Sequence, residues 1–148
     1  MRRVDGRGGA KARLYGLGTA LPPHKAGQPE VRRFMASLAE ATLKGRRRAV
    51  TLDFLGKIYD FSGIAKRHSV LADYTKDAPE DFEFYPPNWA LEPFPTTADR
   101  MRLYEKWSVD LAEEACRKAL RESGAAPAEV THLIFTPCTG LFAPGPDI

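Results

Sequence analysis

The stretch 131–148, THLIFTPCTGLFAPGPDI, decides how the rest of the sequence is interpreted. It opens with the apolar run HLIF at 132–135, which follows a helix-stop signal and predicts a short buried strand. A loop rich in Thr, Pro and Gly follows at once, as is typical of loops that lie over a site on a rigid sheet. Cys138 comes where the strand ends, the position at which α/β proteins place ligand-facing groups. The alternative is a surface loop in which Cys138 is a small buried apolar residue.

Two helices are predicted in the first half of the chain. The first spans residues 29–43, with Gln28 near its start and Pro29 at its first helical position. The second spans residues 46–59 and precedes Gly63, which is placed to adopt a left-handed backbone. Apolar residues recur at three- and four-residue steps in both, which predicts one buried stripe on each helix. In the second helix the stripe consists of Val50, Phe54, Leu55 and Ile58.

The strongest helix signal covers Thr97–Ser123. Thr96 and Asp99 approximate a capping box at its start, with Asp in place of the preferred Glu. Gly124 ends it. Cys116 lies in this helix and is predicted to be a core residue. The helix also carries small residues that allow close packing on a partner, namely Ala112, Ala115 and Ala119.

Strands are predicted at residues 12–17, 66–71 and 131–135. Gly16 and Gly18, in and just after the first of them, suggest close backbone approach to a neighbouring element. A strand, a long helix and a further strand in this order predict an α/β layered fold with right-handed crossovers.

Residues 73–95 form a long acidic segment broken by prolines. A loop of this length needs a physical reason in a compact domain. Four aromatic side chains supply one, because they bury large areas and can pin the segment to the body. They are Phe82, Phe84, Tyr85 and Trp89. A flexible acidic linker is the alternative, and the aromatic density argues against it.

Composition indicates one soluble globular domain. The chain has 148 residues, 43% hydrophobic and 28% charged, and no apolar run is long enough to span a membrane. The N-terminus lacks the apolar core of a secretory signal. The two cysteines, Cys116 and Cys138, form neither a disulfide framework nor a metal-ligand pattern. We therefore predict no metal site and a reducing, cytoplasmic location.

Positive charge is concentrated near the N-terminus. Residues 1–48 hold 12 Lys and Arg but only 3 Asp and Glu. No aromatic residues interleave the arginines as a nucleic-acid stacking surface requires, so a solvated tail and a charged helix face are favoured over a nucleic-acid partner. Residues 1–11 are predicted to be a disordered leader, and residues 12–148 to form one domain.

Four stretches, in the same order along the chain, resemble the type III polyketide synthases, the chalcone and stilbene synthase family. They are YGLGTALPP at 15–23, SGIAKRH at 62–68, PTTADRM at 95–101 and CTGLFAPGPDI at 138–148. The segment 82–94 is similar to bacterial members. The resemblance implies the N-terminal half of a thiolase-like fold, a layered αβαβα sandwich. Since Ile148 falls within a loop and that family has much longer chains, we interpret this sequence as the N-terminal portion of a larger enzyme.

The resemblance also implies an activity. It is that of an acyltransferase that condenses an acyl-CoA starter with malonyl-CoA by decarboxylative Claisen chemistry. These CoA thioesters are substrates, no cofactor is bound permanently, and the full-length enzyme is a homodimer. The nucleophilic Cys, with its His and Asn, is implied to lie beyond Ile148. No catalytic residue is therefore assigned within this chain.

By resemblance, this chain contributes residues that shape the substrate cavity and a residue that binds CoA. Cys138 and Thr139 take cavity-lining positions. Ala143 replaces a larger side chain that reaches across the dimer in many members, which suggests room for a fatty-acyl starter and alkylpyrone or alkylresorcinol products. Lys57 falls on a position that contacts CoA phosphates. The other such positions are Phe54 and Phe61 here, so the alternative for Lys57 is a solvated surface lysine.

Two other interpretations stay open. A ketoacyl synthase III shares the fold and a Gly-Ile-x-x-Arg-His string like the one at 63–68. A non-catalytic fragment that needs a C-terminal partner is the second. His24, His68 and His132 are not predicted to be catalytic, since a lone His on a strand is more often packed or exposed. No nucleic-acid or membrane partner is expected.

Overall fold

The computed structural model describes residues 12–137 together with residues 140, 142 and 145. The elements in chain order are β1 (His24–Gly27), α1 (Gln28–Thr42), α2 (Gly45–Phe61), β2 (Lys66–Ser69) and α3 (Thr97–Ser123). Single 3-10 turns lie at Asp73–Thr75, Pro79–Asp81 and Pro127–Glu129. The predicted leader at 1–11 lies outside the described residues, and the division into a leader and one domain stays a prediction.

The first helix, α1, forms as its sequence predicts. Gln28 opens it, Pro29 follows, and the Glu30 carboxylate accepts the backbone N–H of Gly27 at 2.5 Å. Val31 and Phe34, three residues apart on the apolar side of this helix, are buried. Local signals therefore suffice to position this helix, because proline and a first-turn carboxylate both favour a helix start.

A short antiparallel pair joins β1 to β2, with His24 opposite Ser69 and Gly27 opposite Lys66. The sequence predicts β2 but does not predict β1. Buried Gln28 fastens this pair to the helices. Its amide donates to Ser62 Oγ at 2.8 Å and accepts from Arg67 Nε at 3.2 Å. One side chain thus connects the start of α1, the end of α2 and β2.

The core lies where the aromatic segment packs on α1. Phe34, 2% exposed, contacts the rings of four aromatic residues. They are Tyr74, Phe82, Tyr85 and Trp89. The prediction that aromatic side chains pin this segment to the body is confirmed. Burial, reinforced by the hydrogen bond to Tyr74, raises the pKa of the Tyr85 phenol above its ordinary value.

Asp73 holds the same segment from within. Its side chain is fully buried, and its carboxylate accepts three backbone N–H groups. The donors are Glu83 at 3.2 Å, Phe84 at 3.1 Å and Tyr85 at 2.8 Å. A buried charge is tolerable only when it is well hydrogen-bonded, and these three donors meet that need.

The segments predicted as the first and third strands, at 12–17 and 131–135, are not strands in the structure. Strands need a hydrogen-bonded neighbour, and within the described residues neither segment has one. Leu133 and Ile134 are 58% and 85% exposed rather than buried. The prediction is wrong for this structure because sequence patterns mark strand propensity without supplying the partner strand.

Segment 12–21 lies along α3 instead. The N–H of Leu17 donates to the Glu122 carboxylate at 2.8 Å, and Lys118 Nζ donates to the carbonyl of Thr19 at 3.0 Å. Side chains at Gly16 or Gly18 would overlap the backbone of α3. The predicted close approach of these glycines to a neighbouring element is confirmed.

The third helix, α3, has the predicted bounds. Thr96 and Asp99 form the capping box, and Gly124 ends the helix in the left-handed conformation with φ of 71°. Cys116, however, is exposed. Its predicted place in the core is wrong, since the side of α3 that bears it is only partly covered by the described residues.

The second helix, α2, begins at Gly45 and ends at Phe61, and Gly63 has the predicted left-handed backbone with φ of 66°. Within α2, all of which is described, only Gly56 is buried. The stripe predicted to be buried instead faces solvent at Val50, Phe54 and Ile58. Apolar periodicity identified one side of the helix correctly, but not what covers it.

Candidate functional site

The site residues predicted from the sequence fall in two places, the loop after residue 135 and helix α2. Cys138, Thr139 and Ala143 lie outside the described residues, so their assignment to a substrate cavity stays a prediction. Gly140 and Phe142, their neighbours in the chain, are described and show where part of this loop rests.

Gly140 and Phe142 both contact Tyr104 on α3. Gly140 is buried, and a side chain there would occupy the space of the Tyr104 ring. The Phe142 ring meets the Tyr104 ring edge-on with centroids 5.9 Å apart. Glycine at position 140 is therefore a packing requirement, because only a residue without Cβ allows the backbone to lie on the ring.

Two hydroxyl groups on α3 were not singled out from the sequence. Tyr104 Oη and Ser108 Oγ are buried, and neither has a hydrogen-bond partner among the described residues. They lie one helical turn apart on the same side of α3. The sequence shows them only as members of a helical stripe, and no signal in it distinguishes an unpartnered hydroxyl from a satisfied one. Chemically, both can donate a hydrogen bond to an acceptor placed over this face.

Lys57, the predicted CoA-binding residue, is exposed on α2. Its Nζ donates to Asp53 Oδ2 at 2.6 Å, one turn back along the helix, and its side chain is 65% exposed. Ion pairs this exposed are weak, so the ammonium stays available to a phosphate. Phe54 and Phe61 are 58% and 85% exposed beside it. The three positions that the resemblance implies for CoA phosphates thus carry one exposed lysine and two exposed phenylalanines. The CoA-binding role of Lys57 stays a prediction.

A groove of about 550 Å³ runs between α3 and the two extended segments. It is lined mainly by apolar residues, including Tyr15, Cys116, Leu120, Val130 and Leu133. Its walls belong to the segments that the sequence predicts as strands. The groove thus marks an apolar side of α3 that the described residues leave partly open.

Two of the three histidines contact nearby oxygen atoms. His68 Nδ1 lies 3.1 Å from the carbonyl oxygen of Pro22, a contact that requires the proton on Nδ1 and ties the ring to the backbone. His132 contacts the neighbouring Thr131 hydroxyl at 2.9 Å. In the part of the chain that the structure covers, no cluster of three or more His, Cys, Asp or Glu side chains is arranged to hold a metal ion. No described helix combines the length and apolar character needed to cross a bilayer.

Comparison with known proteins establishes the family. The profile described as "Chalcone and stilbene synthases, N-terminal domain" matches residues 2–148. The chain therefore belongs to the chalcone and stilbene synthase family, as the resemblance of its motifs predicts. The match favours this family over the ketoacyl synthase III alternative. The bacterial character of the segment 82–94 stays a prediction.

Curated relatives agree with this family. A type III polyketide synthase of Penicillium soppii, pspB, is 31% identical over 136 residues, which cover 91% of this chain and 30% of the relative. The acylalkylpyrone synthase csyB of Aspergillus oryzae is 25% identical over 134 residues, covering 90% and 29%. The chain thus spans about a third of the length of these relatives. Because the relatives are polyketide synthases, the family is one of enzymes, as predicted.

Solved structures give the fold. The C-terminal type III polyketide synthase domain of Steely1 from Dictyostelium matches with a TM-score of 0.69 and 24% identity, over 90% of this chain and 33% of that domain. PKS-I of the brown alga Ectocarpus siliculosus matches with a TM-score of 0.57 and 23% identity, over 75% and 27%. The chain therefore has the N-terminal portion of a thiolase-like α/β fold, and the predicted fold class is confirmed.

Proposed function

We propose that this chain is the N-terminal part of a type III polyketide synthase that condenses an acyl-CoA starter with malonyl-CoA. The family match over residues 2–148 carries the proposal. The name of the acylalkylpyrone synthase relative supports products of the alkylpyrone class, and alkylresorcinols are the related alternative.

The proposed reaction proceeds in two covalent stages. A cysteine thiolate attacks the carbonyl of the starter thioester, so that an enzyme thioester forms and the CoA thiolate leaves. Malonyl-CoA then loses carbon dioxide, and the resulting enolate carbon attacks the enzyme thioester. A carbon–carbon bond forms, the cysteine thiolate leaves, and hydrogen-bond donors stabilise the oxyanions formed on the way. The cysteine and its His and Asn partners are expected beyond residue 148.

This chain then contributes the walls of the cavity. Cys138 and Thr139 line it, and Ala143 leaves space where a larger residue would cross the dimer. A wider cavity admits a longer acyl chain, which is the reason for proposing a fatty-acyl starter. The contact of Gly140 with Tyr104 supports this role, because it fixes the backbone at residue 140 against a rigid helix. We expect a homodimer in the cytoplasm, with CoA thioesters as substrates and no permanently bound cofactor.

Product analysis of the full-length protein tests the activity and the starter. The protein is incubated with labelled malonyl-CoA and a series of acyl-CoA chain lengths, and products are identified by mass spectrometry. We expect alkylpyrones or alkylresorcinols from long-chain starters. Exclusively short aromatic or malonyl-only products would refute the fatty-acyl starter, and absence of condensation with every starter would refute the activity.

The Ala143→Met variant tests the cavity wall. Added volume at this position should shift the preferred starter to shorter acyl chains, while the overall rate with a short starter changes little. Ala126→Met, at an exposed position before the last 3-10 turn, is the matched control and should leave the starter preference unchanged. An unchanged preference in both variants would remove Ala143 from the cavity.

The Lys57→Met variant tests the proposed CoA contact. A phosphate contact of this kind binds the substrate and the transition state equally. Its loss should raise KM for the CoA thioesters about fivefold and leave kcat unchanged. Arg117→Met is the control, because Arg117 is 68% exposed and pairs with Glu113 one turn away, as Lys57 pairs with Asp53. Equal KM values for the two variants would make Lys57 an ordinary surface lysine.

A further inference from the structure

Helix α2 carries a stripe of large apolar side chains that faces solvent. Its members are Val50, Phe54, Ile58 and Phe61, which are 58%, 58%, 43% and 85% exposed. At about 100° per residue these four fall within an arc of about 80° around the helix. The stripe, hereafter the α2 ridge, is therefore one continuous apolar surface, and such surfaces mark sites of interaction.

The opposite side of α2 is already occupied. Gly56 is the buried residue of the helix, and it lies against the guanidinium of Arg32 on α1. Arg32 also pairs with Asp60 of α2 at 2.8 Å. Because the contact with α1 uses this side of α2, the ridge faces away from it and is not part of the packing between the two helices.

Positive charge is concentrated near the ridge, mainly at the start of α2. The segment 44–61 contains five cations, Lys44, Arg46, Arg47, Arg48 and Lys57. Its two aspartates are engaged, Asp53 with Lys57 and Asp60 with Arg32. No ion pair joins the three arginines to a carboxylate of the described part of the chain. The first turn of α2 has no acidic residue, so the helix dipole adds to the positive potential.

Helical geometry puts cations and apolar groups on the same side. Arg46, Arg47 and Lys57 fall at the edges of, or within, the arc that holds the ridge. Their stems can lie along apolar surface while their charged ends reach outward. The result is an apolar ridge with Lys57 at its border and Arg47 within its arc, so apolar and cationic groups share one side of the helix.

We propose that the α2 ridge docks on the surface of an anionic phospholipid bilayer. The four apolar side chains would enter the boundary between headgroups and acyl chains, and Arg46 and Arg47 would lie at the level of the lipid phosphates. A covering protein segment would have to desolvate those cations and provide a groove for a convex ridge, which is costly. A fluid lipid surface needs no preformed groove, and it leaves the cations at the hydrated level of the headgroups. The association is peripheral and needs no spanning helix.

This inference does not rest on the proposed catalytic activity, and its test uses no substrate. The full-length protein is mixed with vesicles of phosphatidylcholine alone, or with equal phosphatidylglycerol, and bound protein is measured by flotation. We expect binding to the anionic vesicles, weak binding to the neutral ones, and loss of binding as salt is raised. Weak binding to the anionic vesicles would overturn the proposal, and so would equally strong binding to the anionic and the neutral vesicles.

Variants then locate the surface. Phe54→Ser with Phe61→Ser should lower affinity for the anionic vesicles about tenfold or more. The matched control is Phe94→Ser, since Phe94 is 56% exposed but lies outside α2, and it should bind like the parent. A second pair, Arg46→Gln with Arg47→Gln, changes only exposed side chains and should weaken binding most at low salt. Circular dichroism and thermal melting verify that each variant remains folded.

Other occupants of the ridge would give different results. If the two Phe→Ser changes convert a dimer into a monomer and leave vesicle binding intact, the ridge is an interface between copies of this chain. If the parent protein binds an acidic acyl-carrier protein through the ridge but not the vesicles, its partner is a protein. Either result overturns the bilayer proposal.

Discussion

At the scale of single residues, Asp73 is the side chain on which the aromatic segment depends. Its buried carboxylate accepts N–H groups from Glu83, Phe84 and Tyr85. The Asp73→Asn variant keeps one side-chain oxygen but replaces the other with an NH2 group. That group is itself a donor and cannot accept from the backbone N–H groups it faces. We expect a loss of about 1.5–3 kcal/mol in the free energy of unfolding, because hydrogen bonds to charged groups are worth this much. Urea denaturation followed by tryptophan fluorescence measures it.

Asp81→Asn is the control for this prediction. Asp81 lies in the second 3-10 turn and is exposed, so the same chemical change should alter the free energy of unfolding little. Equal stability of the two variants would show that the three N–H groups do not depend on the Asp73 charge.

The sequence predicts the role of the aromatic residues but not that of Asp73. Large aromatic side chains bury area in almost any compact chain, so Phe82, Tyr85 and Trp89 signal packing by their chemistry alone. A buried aspartate has no such signature, since its environment depends on backbone N–H groups about ten residues further on. Cys116 fails for a related reason, because a small apolar residue on a helix does not reveal which side of that helix is covered.

At the scale of elements, the capping box of α3 allows a prediction about pH. The hydroxyl of Thr96 donates to the Asp99 carboxylate at 2.6 Å, and the Thr96 N–H donates to it at 2.9 Å. The hydroxyl bond first, then the backbone bond, lowers the pKa of Asp99 below its ordinary value. Thr96→Ala should bring this pKa back toward that value and lower Tm by about 2–4 °C at neutral pH. NMR titration and thermal melting measure both.

The sign of the pH effect follows from the lowered pKa. Asp99 binds its proton more weakly in the folded state, so its contribution to stability is present above the unfolded-state pKa and is lost as pH falls through the folded-state pKa. The Tm difference between parent and Thr96→Ala should therefore shrink on acidification. Thr97→Ala, one position inside the helix, should leave the Asp99 pKa low. An equal rise of that pKa in both variants would contradict the capping role.

Helices were predicted well because their signals are local. Pro29 near the start of α1, Thr96 before α3 and Gly124 after it act within a turn of the boundary they define. Strands depend on partners distant in sequence, and neither 12–17 nor 131–135 finds one in the described residues. The α2 ridge is an intermediate case. The sequence correctly identifies the apolar side of this helix, but it does not predict that this side is exposed.

At the scale of the whole molecule, the chain presents part of a layered fold. Its described core is small, with six buried apolar residues, while Leu14, Leu17, Leu133 and Ile134 lie largely exposed on the two extended segments. The chain spans about a third of its curated relatives. Residues that a sheet would bury are therefore placed at the surface, next to the apolar groove on α3.

Amide hydrogen exchange tests whether the predicted strands form when more of the fold is present. We expect residues 131–135 to exchange rapidly in the 148-residue chain. In a longer protein that contains this chain and has the full length of its relatives, the same residues should exchange slowly. Pairing with neighbouring strands would protect those N–H groups, which lack ladder partners in the described structure. The measurement is exchange followed by mass spectrometry of peptides that cover residues 12–17 and 131–135.

The middle of α3 provides the internal control for exchange. Its N–H groups already donate within the helix, so residues 107–120 should be protected whether or not the chain is extended. Slow exchange of α3 with fast exchange of 131–135 in both proteins would mean that the apolar pattern HLIF does not specify a strand at all. Protection gained only in the longer protein would mean that the pattern is correct and that the strand forms only when more of the fold is present.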